Sequence, residues 1–201
     1  WMVDGTDDVI PAGAPMTWTY GTDKTLTARY TPGKFSVTAN NIGIAKFYIS
    51  ASGLFTVDCG TGGTLSGNGV DGNTIDRTSN TNNDEYTCTW TTSGIKTITF
   101  DGTADGYNAG TVAAVSFAQP YTTGSNSINY HPNSYLKSIN GDLSEMFPYL
   151  GASAGQYPIF YRTFYKTQLT TLPPELFSGY TTSARRMFES TFSNCTGLKS
   201  I

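Results

Sequence analysis

From residue 16 to residue 118, apolar and polar positions alternate in short runs separated by Gly, Asn and Asp. The runs fall at 25–30, 34–38, 44–50, 54–59, 85–90, 95–100 and 112–117. Phe55, Val57 and Cys59 share one face of their run, as do Tyr86, Cys88 and Trp90. A period of two marks a strand with one buried face. Seven such runs at this spacing predict an antiparallel β-sandwich. The Gly-, Asn-, Thr- and Asp-rich insert at 60–84 reads as a surface loop.

Beyond residue 135 the period changes. Pro158-Ile159-Phe160-Tyr161-Arg162-Thr163-Phe164 leads to Leu169 and Leu172, and Arg186-Met187-Phe188-Glu189-Ser190-Thr191-Phe192 leads to Leu198 and Ile201. Phe160 to Phe188 and Phe164 to Phe192 are steps of 28, and the two leucine positions recur after 29. Leu136-Lys137-Ser138-Ile139 repeats the pattern of the final tetrapeptide. A period in the twenties with Leu or Ile at fixed offsets predicts a solenoid of leucine-rich-repeat-like units. Pro158 suits the first position of a helix. Ala184, Met187, Phe188, Thr191 and Phe192 fall at helical spacing behind a Thr182-Ser183 cap, and Asp142 with Glu145 reads as a capping box. The expected repeat core is Leu136, Ile139, Phe160, Phe164, Leu169, Leu172, Met187, Phe188, Phe192, Cys195, Leu198 and Ile201. Solenoids close with a polar cap, whereas the last copy ends on apolar core positions, so the chain is expected to continue past Ile201 or to stack end to end as a filament.

The expected organisation is therefore two-domain: a leader or linker at 1–15, a β-sandwich at 16–118, a Pro-, Gly- and Ser-rich linker at 119–134, and an α/β solenoid, cut short, at 135–201. Charged residues make up 13% of the chain, about half the usual ~25%, and Thr, Ser, Asn and Gly fill the gap. This composition suits strands and exposed turns. A net charge of −3 gives no electrostatic case for nucleic acid, and no apolar run reaches the ~20 residues of a membrane span. Trp1-Met2-Val3-Asp4 has neither a basic segment nor an apolar core, and reads as a mature or trimmed N-terminus.

Val57-Asp58-Cys59-Gly60-Thr61-Gly62, Tyr86-Thr87-Cys88-Thr89-Trp90 and Gly94-Ile95-Lys96-Thr97-Ile98 resemble the strand motifs of polycystic-kidney-disease (PKD) sandwiches, which are immunoglobulin-like. The resemblance covers about residues 45–117. Cys59 stands where that family has Trp, and Cys88 where it has His. In such a sandwich the strands carrying them are neighbours, so the pair is a disulfide candidate that would imply an oxidising compartment. The alternative is two reduced thiols packed as small hydrophobes. Phe192-x-x-Cys195-x-x-Leu198-x-x-Ile201, with Pro173-Pro174-Glu175-Leu176-Phe177-Ser178-Gly179 in the middle copy, resembles the repeats of BspA-like bacterial surface proteins. That resemblance covers residues 135–201 and implies an extracellular adhesion or scaffolding role.

Few residues suggest chemistry. Gly67-Asn68-Gly69-Val70-Asp71-Gly72 has the spelling of a dinucleotide loop, but no helix follows it. Asp71, Asn73 and Asp76 are weak calcium candidates, because their spacing misses the EF-hand order and Asn/Asp loops ordinarily make turns. His131 has no second His or Cys nearby. Asn194-Cys195-Thr196 spells a glycosylation sequon inside the repeat, where a structural Asn is the simpler reading, and Cys195 is expected to be buried. No hydrolase, zinc-protease or P-loop motif is present. The expectation is a non-enzymatic, secreted or surface-exposed protein, without cofactor, for adhesion or self-assembly. Its partners would be a protein or glycan on a surface, or further copies of itself, with no nucleic acid and no membrane insertion. The alternative is a carbohydrate-binding module stacking sugars on Trp18, Tyr20, Tyr30, Tyr161 and Tyr165.

Overall fold

Two antiparallel sheets, stapled together and sharing one core, account for most of the fold. The computed structural model describes residues 2–3, 26–27, 35–40, 43–107, 113–122, 128–131, 133, 135–148, 159–181 and 187–199; at 2–3, 26–27, 119–122 and 128–131 the backbone alone is described. The chain divides into two compact units, residues 1–32 and 33–201. In the first, β1 (Met2–Val3) pairs antiparallel with β2 (Leu26–Thr27).

The second unit holds β3 (Phe35–Ala39), β4 (Ile44–Ile49), β5 (Ser52–Asp58), β6 (Gly63–Gly67), β7 (Val70–Asp71), β8 (Thr74–Asp76), β9 (Asp84–Trp90), β10 (Lys96–Gly106), β11 (Val115–Ser116), β12 (Gln119–Thr122), β13 (Ile128–His131), β14 (Leu136–Gly141) and the helix α1 (Leu143–Met146). One sheet runs β14-β3-β10-β5-β8-β7 and the other β11-β4-β9-β6. Alternation along the strands decides which face is buried. Phe35, Val37, Phe55, Val57, Ile98 and Phe100 line the inside of the first sheet, and Ala45, Phe47, Ile49, Tyr86, Cys88 and Trp90 that of the second. Phe100 stacks on its cross-strand partner Phe35 at 4.6 Å within the first sheet, and across the gap it meets Phe47 edge-on at 5.0 Å. The outer faces carry Thr and Ser rows, such as Ser138–Thr38–Thr97, which leave the sheets wet on one side.

Three expectations fail. The insert at 60–84 is not a bare loop, since it supplies β6, β7 and β8, anchored by the inward Leu65 and Ile75. The supposed linker at 119–134 contains the antiparallel pair β12–β13. Most consequentially, among the described residues there is no second, solenoidal domain and no α/β leucine-rich repeat. The one helix among the described residues is the four-residue α1, and β14 adds to the edge of the six-stranded sheet beside β3. Leu136, Phe147, Phe160, Phe164 and Met187 join the same hydrophobic core as the sandwich residues. The result is a single mostly-β fold.

The helices expected around Phe160–Phe164 and Met187–Phe192 are runs of turns, at 159–166 and 187–194; Ala184 and the Thr182-Ser183 cap lie outside the described residues. Arg162, Lys166, Ser190 and Asn194 adopt φ values of 57°, 57°, 58° and 61°. A left-handed residue every fourth position interrupts the helical run of backbone angles, so no α-helical ladder can propagate. The chain makes short bonds back by three instead, from Thr163 to Phe160 and from Thr191 to Phe188, and points its remaining N–H groups sideways.

Candidate functional site

The sideways N–H groups build the most distinctive part of the molecule. The segment at 113–118 continues the four-stranded sheet through Val115 and Ser116, which pair with Ile49 and Tyr48 of β4. Its Ala114 and Phe117 N–H groups donate to the carbonyls of Ile159 and Thr163. The turns at 159–166 repeat the move: Phe160, Arg162, Phe164 and Lys166 donate to Met187, Glu189, Thr191 and Ser193 at 2.9, 3.2, 2.9 and 3.0 Å. Threonine hydroxyls fill the gaps, with Thr163 donating to the Val115 carbonyl at 2.8 Å and Thr191 to that of Phe160 at 2.7 Å. Both threonines sit at matched offsets in the two copies, and Thr191 falls on the apolar-spaced face read from the sequence, although as part of a helix rather than a ladder of turns.

Rings stack along this ladder. Phe117 lies on Phe164 at 5.4 Å and Phe164 on Phe192 at 5.4 Å, all nearly parallel, while Phe160 lies on Phe188 at 5.7 Å. Gly197 permits the close approach of the last segment, because a Cβ there would meet the Leu169 carbonyl oxygen at 2.6 Å. A second row of contacts runs alongside. Asp142 caps α1, accepting from the Ser144 N–H at 2.7 Å, and its other oxygen accepts from Ser178. The Leu143 N–H donates to Leu176, Gly179 N–H donates to the Ser144 hydroxyl, and the Tyr180 hydroxyl donates to the Phe147 carbonyl. These bonds fix the Pro173–Gly179 turn against the helix.

Beside Phe192, that turn leaves a groove of about 530 Å³ lined by Thr171, Leu172, Pro173, Pro174, Leu176, Phe177, Ser178 and Phe192. Among the described residues, no ionisable side chain lines it. Phe188, next to it in the ring cluster through Phe177, is 39% exposed. Of the expected repeat-core residues, Leu136, Ile139, Phe160, Phe164, Leu169, Met187 and Cys195 are buried; Leu172, Phe192 and Leu198 are half-buried and pack against them. Ile201 lies outside the described residues. The Cys195 thiol donates to the Phe164 carbonyl at 2.9 Å and lies 3.2 Å from the Thr167 hydroxyl, its counterpart one copy earlier.

Cys59 and Cys88 form a disulfide with their Cα atoms 5.6 Å apart. Cys88 lies on β9 in the four-stranded sheet and Cys59 directly follows β5 in the six-stranded one, so the bond ties the two sheets together rather than neighbouring strands of one sheet. The Trp90 indole N–H donates to the Cys59 carbonyl at 2.9 Å and covers the staple. A buried disulfide indicates an oxidising, extracytoplasmic environment. Among the described residues no helix is long and apolar enough to cross a membrane.

Two polar clusters serve the fold. Arg77, 1% exposed, donates to the carbonyls of Ala51, Asn80 and Asn82, to Asp84 and to the Tyr86 hydroxyl. A guanidinium has five N–H donors, so this cage satisfies it and fixes the 77–84 loop. Burial pushes the Asp84 carboxyl up, but hydrogen bonds from Arg77, Asn68 and Asn80, with the Arg77 charge, outweigh it and hold the pKa below the usual range. On the outer face Glu85 accepts from Lys46 at 2.7 Å and from Tyr48. Burial, then the hydrogen bond and charge of Glu85, push the Tyr48 hydroxyl up, so it stays a protonated donor.

The calcium candidates do not converge. Asp71 and Asn73 are exposed on the β7–β8 hairpin, and Asp76 is engaged by the Thr78 N–H and hydroxyl. Among the described residues no three His, Cys, Asp or Glu side chains form a metal-sized cluster. Trp18, Tyr20 and Tyr30 lie outside the described residues, as does the His131 side chain. Tyr161 and Tyr165 flank Arg162, whose guanidinium carbon sits 4.9 and 5.2 Å from their ring centres. No protein-family model matches the chain, and no curated protein or solved structure matches it significantly.

Proposed function

We propose that this chain is a non-enzymatic extracellular surface protein that adheres through the stacked-turn end of its fold. The observation that carries the reading is the apolar groove beside Phe192, in line with the exposed ring of Phe188. Apolar ground of this kind, rimmed by hydroxyls, marks interaction sites. The cross-sheet disulfide supports placement outside the cell, as does the resemblance of residues 45–117 to PKD sandwiches. A sugar-stacking role for Tyr161 and Tyr165 has less support, because Arg162 already engages both rings.

The test is adhesion of the purified protein to cell surfaces and to immobilised extracellular proteins, with and without Thr171→Arg and Ser178→Arg at the groove rim. Saturable adhesion that the double variant abolishes, with its circular dichroism unchanged, is the expected result. Adhesion indifferent to the double variant, or no adhesion at all, would overturn the reading.

A further inference from the structure

Asn-Gly occurs twice in the chain, as Asn68-Gly69 and as Asn140-Gly141, in opposite surroundings. Asn140 and Gly141 lie within β14, in register with Ser36 and Phe35 of β3. Asn68 and Gly69 are the exposed residues between β6, which ends at Gly67, and β7, which begins at Val70. Because β6 belongs to the four-stranded sheet and β7 to the six-stranded one, this pair is a corner where the chain changes sheets. The corner requires glycine: Gly69 has a φ of 71°, and a Cβ there would meet the Asp76 carbonyl oxygen at 2.6 Å. No side chain therefore shields the Gly69 nitrogen, and among the described residues its N–H meets no backbone acceptor. The Asn68 amide is weakly held, donating to Asp84 Oδ2 at 3.3 Å, beyond the ordinary range of about 2.7–3.2 Å.

We propose that Asn68 is a self-modifying site, and that its conversion loosens the cage around Arg77. The Gly69 nitrogen gives its proton to solvent and attacks Cγ of Asn68. The new N–Cγ bond closes a cyclic imide, the Cγ–Nδ2 bond breaks, and the nitrogen leaves as ammonia with a proton from water. Water then opens the imide at either carbonyl, to aspartate or to isoaspartate. The step consumes water alone. At Asn140 the sheet pairing holds the main chain extended and resists the rotation that attack requires. The inference stands apart from the adhesive reading, which its failure would leave untouched.

The consequence follows from what Asn68 touches. Asp84 Oδ2 accepts from Arg77 at 2.7 Å and from Asn80 at 2.6 Å as well as from Asn68. Either product removes the amide donor, and aspartate sets a second negative charge against the Asp84 carboxylate. Isoaspartate lengthens the main chain by one atom and turns the former Asn68 carbonyl into a free carboxylate. That carbonyl now accepts from the Tyr86 hydroxyl at 3.1 Å, and the same hydroxyl accepts from Arg77. The neighbouring Gly69 carbonyl accepts from the Asp76 N–H at 3.0 Å, so the lengthened corner also disturbs the start of the 77–84 loop.

The unaltered protein, aged at mildly alkaline pH and followed by peptide mapping with mass spectrometry, tests the proposal. The Asn68 peptide should gain the mass of amide-to-acid exchange and split into two isomers. It should do so at least about tenfold faster than the Asn140 peptide, whereas in denaturant the two sites should convert alike. In the aged protein, amide exchange should quicken by about tenfold at Arg77, Asn80 and Asp84, whose N–H groups bond to Gly53, Arg77 and Asn82. Asn68→Asp should show the same quickening without ageing, and fresh and aged Asn68→Gln should match each other. No conversion at Asn68, conversion at Asn140 as fast in the native state, or a converted protein with unchanged exchange at 77–84 would overturn the proposal.

Discussion

Phe164 and Phe192, 28 positions apart in the chain, lie face to face with ring centres 5.4 Å apart and planes 4° from parallel. Phe117 covers the other face of Phe164 at the same distance. The sandwich core thereby continues into the stacked turns without a seam, because Phe117 also packs against Phe35, Phe47 and Phe100.

Burying both faces of one ring should make Phe164 the costlier deletion. Phe164→Ala is expected to lose about 3–5 kcal/mol, and the half-buried Phe192→Ala less than about 3 kcal/mol. Because the core is shared, denaturant titration should give one transition for residues 33–201, by tryptophan fluorescence and circular dichroism alike. A separate early transition for the turns would show that they fold as an independent unit.

The disulfide closes a loop of sequence separation 29 across the two sheets. In chain-entropy terms its removal should cost about 3–4 kcal/mol. Replacing Cys59 and Cys88 by Ala should lower the denaturant midpoint accordingly, with the slope as the check on unfolded-state compactness.

Arg77 is the buried charge on which the 77–84 loop depends. Arg77→Met should cost about 3–5 kcal/mol, since it leaves buried acceptors and the Asp84 carboxylate without their donor. Asp84 and Glu85 both titrate below the usual carboxylate range. A depressed carboxylate contributes stability that is full above its unfolded pKa and lost as pH falls through the folded one. Acid should therefore destabilise the protein below about pH 4, and Asp84→Asn should flatten that limb. An unchanged acid limb would remove Asp84 from the account.

Cys195 should be inert in the native state, being 8% exposed with its thiol bonded to the Phe164 carbonyl. Labelling by a thiol reagent should be slow in buffer and immediate in denaturant. Fast native labelling would mean that the last turns open readily.

Much of the sandwich was legible because Phe55, Val57, Cys59 and Tyr86, Cys88, Trp90 alternate cleanly; the cysteine pair was a candidate only through the PKD resemblance, which set the two on neighbouring strands rather than across the sheets. The insert hid its strands because only Leu65 and Ile75 point inward there among Gly, Asn and Thr. Arg77 was invisible, since an arginine in a polar stretch reads as solvent-facing until its acceptors, mostly backbone carbonyls and loop residues, are placed. The helix expectation failed for a different reason. Phe160 and Phe164 are four apart, which is the spacing of a helix and equally that of four-residue turns; only the left-handed backbone of Arg162 and Lys166 separates the two. The groove beside Phe192 depends on that distinction.

The central claim is that adhesion occurs at the stacked-turn end, and site-specific photo-crosslinking tests it most directly. A photoreactive residue is placed at Thr171 in the groove or at Thr97 on the outer face of the six-stranded sheet, and the adhering protein is irradiated. The account predicts covalent capture of the surface partner from position 171 and none from position 97. Capture from position 97 alone, or equally from both, would contradict it.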